Sequence, residues 1–113
     1  MDRFIGLDVH ASSCTFGVTG PSGRRLRSQV VETNGKALVS FLKTVPGTLH
    51  LCLEECTQAG WLAEVLSPHV DQLVVMGIGE PAPRGNKDDQ RHAFALADKL
   101  RQNDLSRVVY KQV

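Results

Sequence analysis

From Phe4 to Val9 the chain is almost continuously apolar, the pattern of a strand buried on both faces. After the polar turn Ala11-Ser12-Ser13, the run Cys14-Thr15-Phe16-Gly17-Val18 alternates. A second turn, Gly20-Pro21-Ser22-Gly23, leads into a third alternating run from Arg25 to Val31. Three strands joined by short turns predict an antiparallel meander. The period then changes. Asn34 can cap a helix that carries Leu38, Phe41 and Leu42 at i, i+3 and i+4, and Pro46-Gly47 ends it. Leu49 to Leu53 predicts a fourth strand, Thr57 to Leu66 a second helix with Trp61, Leu62, Val65 and Leu66, and Gln72 to Met76 a fifth strand. Three Gly and two Pro between Gly77 and Asn86 predict a loop. A third helix is expected from about Lys87 to Gln102, and Leu105 to Tyr110 reads as extended chain.

The order βββαβαβα, with helical crossovers between the third and fourth and the fourth and fifth strands, predicts an α/β fold. Its sheet is mixed and five-stranded, with a parallel portion and helices on its faces. Residues 1–102 form the expected domain and 103–113 a short C-terminal extension. At 113 residues there is room for one core. Hydrophobic residues at 42% and charged residues at 22% exclude collagen-like, disordered and disulfide-scaffold classes. A formal charge of +1 by itself points to neither a nucleic acid nor a membrane. No apolar run approaches the roughly 20 residues of a membrane span. The opening MDRFIGLDVH carries an early acid and no long apolar region, so it does not read as a signal peptide. A cytoplasmic, bacterial protein is expected. Cys14, Cys52 and Cys56 form an odd set without a CxxC and read as reduced thiols, with Cys52 and Cys56 not sharing a face.

Candidate chemistry starts from carboxylates in apolar surroundings. Stepping about 100° per residue along the third helix puts Asp89 in the middle of the apolar stripe of Ala93, Leu96 and Leu100, with His92 at its edge. Asp98 and Phe94 fall away from that stripe, which leaves Phe94 free to dock against a missing part or a second subunit. A carboxylate aimed at a core needs a partner, a capping role or a metal. The simpler role for Asp88 or Asp89 is a helix N-cap. Asp8 interrupts an apolar strand, where an acid is a poor sheet former. Glu54 and Glu55 directly follow Leu51-Cys52-Leu53 at the end of the fourth strand. If the first and fourth strands are parallel neighbours, these acids meet at the carboxyl ends of the strands, where open α/β sheets bind ligands. Carboxylates crowded there call for a divalent cation, and oxygen ligands favour Mg²⁺ or Mn²⁺. Two such ions clamp in-line displacement at a phosphodiester. Seven of the thirteen Lys and Arg lie from Arg84 onward, a basic edge suited to a phosphate backbone or simply a solvated helix face. His10 shares Asp8's strand face if the strand continues, and a structural role is expected for it. His50 and His69 carry no assignment.

Three segments carry a resemblance: Phe4-Ile5-Gly6-Leu7-Asp8-Val9-His10, Leu53-Glu54-Glu55-Cys56-Thr57-Gln58, and Lys87-Asp88-Asp89-Gln90-Arg91-His92-Ala93-Phe94-Ala95-Leu96-Ala97. Together they resemble the N-terminal domain of the insertion-sequence one-ten family of transposases, over essentially the whole chain. The resemblance implies a RuvC-like domain of RNase H-like fold with a D-E-D-D set of metal-binding acids. Carried over, Asp8 is the first acid, Glu55 the second with Glu54 as its alternative, and Asp89 the third. His92 stands where the family has its fourth acid. It is either a metal ligand or nearby base, or the mark of a weakened site, so whether the domain is an active enzyme stays open.

The resemblance further implies DNA as partner and a structured bridge RNA as guide in the full-length protein. It also implies a second, Ser-bearing half that this chain lacks, so an excised domain or a truncated copy is expected, and a homo-oligomer with it. Two other readings remain. One is a degenerate module that binds nucleic acid or oligomerises without cleaving. The other, resting only on Ile5-Gly6-Leu7-Asp8, is an actin-like nucleotide-binding fragment.

Overall fold

The meander forms as the apolar runs require, with β1 (Asp2–Val9), β2 (Ser13–Thr19) and β3 (Arg25–Glu32) paired antiparallel in sequence order. A computed structural model describes residues 1–77, 88–105 and 108–112 of the chain. The remaining elements are α1 (Gly35–Leu42), β4 (Thr48–Glu54), α2 (Ala59–Leu66), β5 (Gln72–Met76), α3 (Asp89–Arg101) and β6 (Val108–Gln112). The α/β class and the mixed sheet are as expected. The strand count is not: the sheet has six strands in the order β3-β2-β1-β4-β5-β6. The sixth comes from the segment read as a C-terminal extension, which turns back and pairs antiparallel with β5 through Val75↔Tyr110 and Val74↔Lys111. Alternation over five residues is too short for a sequence pattern to separate a strand from extended coil. The expected loop beyond Gly77 and the Lys87 start of the third helix lie outside the described residues.

β1 is central, antiparallel to β2 and parallel to β4, which is in turn parallel to β5. Its odd and even residues therefore enter two different cores. Ile5 and Leu7, with Leu51, Leu53, Leu73 and Val75, face α1 and α2 and are fully or nearly fully buried. On the other face Cys52, Val74 and Met76 pack under Leu96 and Leu100 of α3. The helix caps are local. Asn34 Oδ1 accepts from the backbone N–H of Lys36 (2.9 Å) and Ala37 (3.2 Å). Asp88 Oδ1 accepts from Arg91 N–H at 3.1 Å. Capping of α3 thus falls to Asp88 alone and leaves the Asp89 carboxylate available.

What positions α3 is the absence of two side chains beneath it. A Cβ on Gly6 would overlap the Ala93 carbonyl oxygen and stand 2.8 Å from Ala97 N, and one on Gly17 would stand 3.0 Å from the Phe94 ring. The helix backbone settles directly on β1 and β2. Its sheet-facing stripe is accordingly broader than the wheel suggested, and Phe94, expected to be free for docking, is 2% exposed. The Arg25 guanidinium covers its ring at 4.5 Å, a cation–π contact that closes the edge.

Gly6→Ala forces α3 off the sheet and is expected to cost about 3 kcal/mol or more, or upward of about 10 °C in melting temperature. Gly17→Ala, whose Cβ would stand 3.0 Å from both the Phe94 ring and the Phe94 backbone N and so needs a shift of only a few tenths of an ångström, is expected to cost visibly less. Thermal melts of the two variants side by side check the ranking.

Candidate metal centre

The site lies at the carboxyl ends of β1 and β4, under the first turn of α3. Asp8 is the last buried residue of β1 and is 5% exposed, an anion held between two neighbouring strands. Both of its oxygens are taken by histidines. His92 Nδ1 donates to Oδ1 at 2.8 Å, and His10 Nε2 to Oδ2 at 2.9 Å. His10 Nε2 also reaches Asp89 Oδ1 at 3.0 Å, and His92 Nε2 reaches Glu54 Oε1 at 2.8 Å. Five residues from β1, the end of β4 and the start of α3 thus form one continuous network.

Local structure explains each position. The turn after β1 is closed by His10 N–H donating to the Ser13 carbonyl at 3.0 Å. The Thr33 hydroxyl holds the His10 carbonyl at 2.7 Å, so the His10 ring projects beside Asp8 rather than into solvent. Leu7 pairs with Leu53, which puts Glu54 level with Asp8 on the face that α3 covers. Along α3, Asp89 and His92 are three apart and so lie on one side of its first turn.

Protonation follows from donor counting. Both ring nitrogens of His92 face carboxylate oxygens, which only accept when ionised, so His92 satisfies both as imidazolium. Its pKa is raised, first by the hydrogen bond to Asp8, against partial burial, and further by the charges of Glu54 and Asp8. For His10, burial pushes the pKa down, but the hydrogen bonds and charges of Asp8 and Asp89 outweigh it and raise it. Burial likewise pushes the Asp8 carboxyl up, yet its hydrogen bonds and charge attraction to His92 and His10 hold it below the ordinary carboxylate value.

Three of the four positions expected from sequence come together: Asp8, Asp89 and His92. The second acid is corrected. Glu54, the alternative, enters the network, while Glu55 turns to the opposite face of the sheet and lines a cleft with Ala59, Val75 and Tyr110. The reason is strand parity. Glu55 N–H donates to the Met76 carbonyl at 2.7 Å, so the extended chain continues one residue past Glu54 and sends successive side chains to opposite faces. For His10 the sequence alone suggests only a structural role, although its i, i+2 spacing from Asp8 is the available signal. Cys52 stays apart from this chemistry. It is buried against Met76 Sδ at 3.3 Å, and burial pushes its thiol up to about 12.

The donor set fits a divalent cation. One ligand atom each from Asp8, His10 and Asp89 lie within 4.8 Å of one another. Ligands about 2.1–2.2 Å from one ion stand up to about 4.3 Å apart, so a small closure brings the three into a common shell. Imidazole among the donors favours a transition ion, and of Mg²⁺ and Mn²⁺ the latter fits better. For one cation to touch both Asp8 and Glu54, the His92 ring must leave the space between them. No protein-family model matches the chain, and no curated protein matches it.

The metal-free network stabilises the fold over a definite pH window. The raised histidines contribute fully below their unfolded value of 6.5, and that contribution is lost as pH rises through their folded values. The depressed Asp8 contributes above 3.8 and its share is lost as pH falls through its folded value. The stability gap between wild type and Asp8→Asn, measured by urea unfolding in chelator, is expected to peak between these limits and to shrink on either side.

Proposed function

We propose that this chain is a RuvC-like, RNase H-like domain of a DNA transposase or recombinase, acting on phosphodiesters with Mn²⁺ or Mg²⁺. The observation that carries the reading is the convergence of Asp8, Glu54 and Asp89, three acids far apart in sequence, at the carboxyl ends of two parallel central strands. A mixed α/β sheet, with an antiparallel β3-β2-β1 meander and parallel β4 and β5, supports the reading, while its sixth strand departs from the five expected. DNA is the proposed substrate. A structured guide RNA and a Ser-bearing partner half belong to the proposed full-length protein.

The cation, when bound, supplies charge stabilisation at phosphorus and acidifies water. The protein's own residues do the rest. Asp8, fixed in a central strand, and Asp89, on the first turn of α3, offer oxygens that need no rearrangement of the backbone. In the network described, His10 Nε2–H points at one oxygen of each and orients both; it would have to give up that proton to join a cation's shell. His92 is a positioning cation in the network described. Were Glu54 engaged by a cation, His92 Nε2 would lose its carboxylate partner, and the neutral ring would be placed to accept a proton from water. Burial of Asp8 keeps bulk water from competing for its oxygens.

A second reading has its own observation. Both oxygens of Asp8 are satisfied by imidazoles, so the acids are neutralised without any cation. This favours a module that binds nucleic acid without cleaving it. Its signature is salt-sensitive DNA affinity indifferent to Mn²⁺.

Nicking of supercoiled DNA and calorimetric Mn²⁺ binding test the proposal. Asp8→Asn and Asp89→Asn are each expected to lower Mn²⁺-dependent nicking by about a hundredfold or more, the loss of several kcal/mol of charge stabilisation. Glu54→Gln is expected to weaken Mn²⁺ binding by about tenfold or more, with Glu55→Gln close to wild type. Metal-independent nicking, or equal effects at Glu54 and Glu55, contradicts the assignment. His92→Asp is expected to shift preference toward Mg²⁺ by exchanging nitrogen for oxygen.

A further inference from the structure

Charge is unevenly placed along β3, the outermost strand on its side of the sheet. Arg24, Arg25 and Arg27 stand at its start and all three are exposed, whereas its acid, Glu32, closes the far end. Among the described residues, none of the three has a carboxylate within ion-pair distance. What holds two of them is aromatic. Arg25 lies 4.5 Å over the Phe94 ring of α3. Arg27 lies 4.5 Å over the Phe41 ring of α1, and its Nη1 donates to the Thr44 hydroxyl at 2.7 Å. One guanidinium is thus fixed on each face of the edge strand. A fourth, Arg101 at the end of α3, reaches the same corner: a Cβ on Gly23, in the turn before β3, would stand 2.9 Å from its Nη2. The acid in contact with this group is Asp98, 3.4 Å from the same nitrogen.

A guanidinium stacked on a ring gives up little side-chain freedom on binding and keeps N–H groups at its rim for the bidentate geometry of a phosphate. Four such cations with one acid among them make a positive corner that attracts a polyanion. We propose that this corner is a second DNA contact, which holds phosphates of the duplex backbone away from the carboxylate centre. The register fixes its place. Asp8 is level with Thr15 and Val30, and Arg25 with Thr19, four residues or about 13 Å along β2. Two strand spacings add about 10 Å across the sheet. The corner therefore lies about 16 Å from Asp8, roughly five base pairs of rise along one strand. That is too far to touch a phosphate under attack at Asp8. It holds flanking DNA, and so sets position rather than chemistry. Because Arg25 and Arg27 occupy opposite faces of the edge, each meets a phosphate of its own. The inference rests on the reading of DNA as partner, and on no bound cation.

Fluorescence anisotropy of a labelled duplex of about 20 base pairs, titrated in chelator across a salt series, tests the corner. Wild-type affinity is expected to fall steeply as salt rises. Arg25→Gln and Arg27→Gln are each expected to weaken binding about threefold or more near about 0.1 M salt. Each is also expected to flatten the log–log salt slope by about 0.9, the loss of one phosphate contact. Arg24→Gln, at a residue not stacked on a ring, is expected to act in the same direction and keeps the test open if a stacked variant fails to fold in a thermal melt. Lys111→Gln, on the opposite edge strand β6, is expected to match wild type. A wild-type chain that does not bind the duplex overturns the proposal. So do unchanged salt slopes at the three arginines, an equal loss at Lys111, or binding to phosphatidylserine vesicles in preference to the duplex. The metal reading fails separately: nicking indifferent to Mn²⁺ leaves these affinities as expected, whereas intact Mn²⁺-dependent nicking with unchanged slopes removes the corner alone.

Discussion

A single buried carboxylate organises one half of this molecule. Asp8 sits on a central strand with almost no access to water, and an unpaired anion there would cost several kcal/mol. Its two oxygens are satisfied by His10, from the turn that follows, and by His92, from a helix eighty-four residues away. The second contact exists only because α3 lies against the sheet, and α3 lies there only because Gly6 and Gly17 present no side chains. Charge, helix docking and glycine placement are one constraint. Removing any of them leaves the others uncompensated.

That constraint also decides what the site can do. Three carboxylates are drawn together on a rigid frame and held apart from one another by two imidazoles. Without a metal, the imidazoles carry the compensating charge. With one, the same geometry offers oxygens of Asp8 and Asp89 and one His10 nitrogen within a small closure of a common shell. The network is therefore poised between two ways of neutralising the same acids. Which predominates depends on whether a cation displaces the two imidazoliums from Asp8, a competition set by metal concentration and pH.

Much of this was legible in the chain. The apolar run at Phe4–Val9, the Gly-Pro turn and the change of period at Asn34 mark elements whose physics is local, and those elements formed where expected. The interruption of an apolar strand by Asp8 was sufficient to single it out. What escaped depends on tertiary detail. The choice between Glu54 and Glu55 turns on whether β4 remains extended past Leu53, which a backbone hydrogen bond to Met76 decides. Phe94 is buried where a helical wheel puts it outside, because the wheel assumes one narrow contact stripe, whereas a helix resting on two glycine-bearing strands buries a wider one. β6 was missed because five residues of alternating character take their identity from the neighbour they pair with.

The central claim is that Asp8, Glu54 and Asp89 share a cation, and anomalous diffraction from crystals grown with Mn²⁺ tests it most directly. A manganese peak is expected about 2.2 Å from an Asp8 oxygen, with Asp89 in the same shell and the His92 ring displaced toward solvent to admit Glu54. A peak remote from Asp8, or one bound by Glu55 in the cleft on the other face, would contradict it.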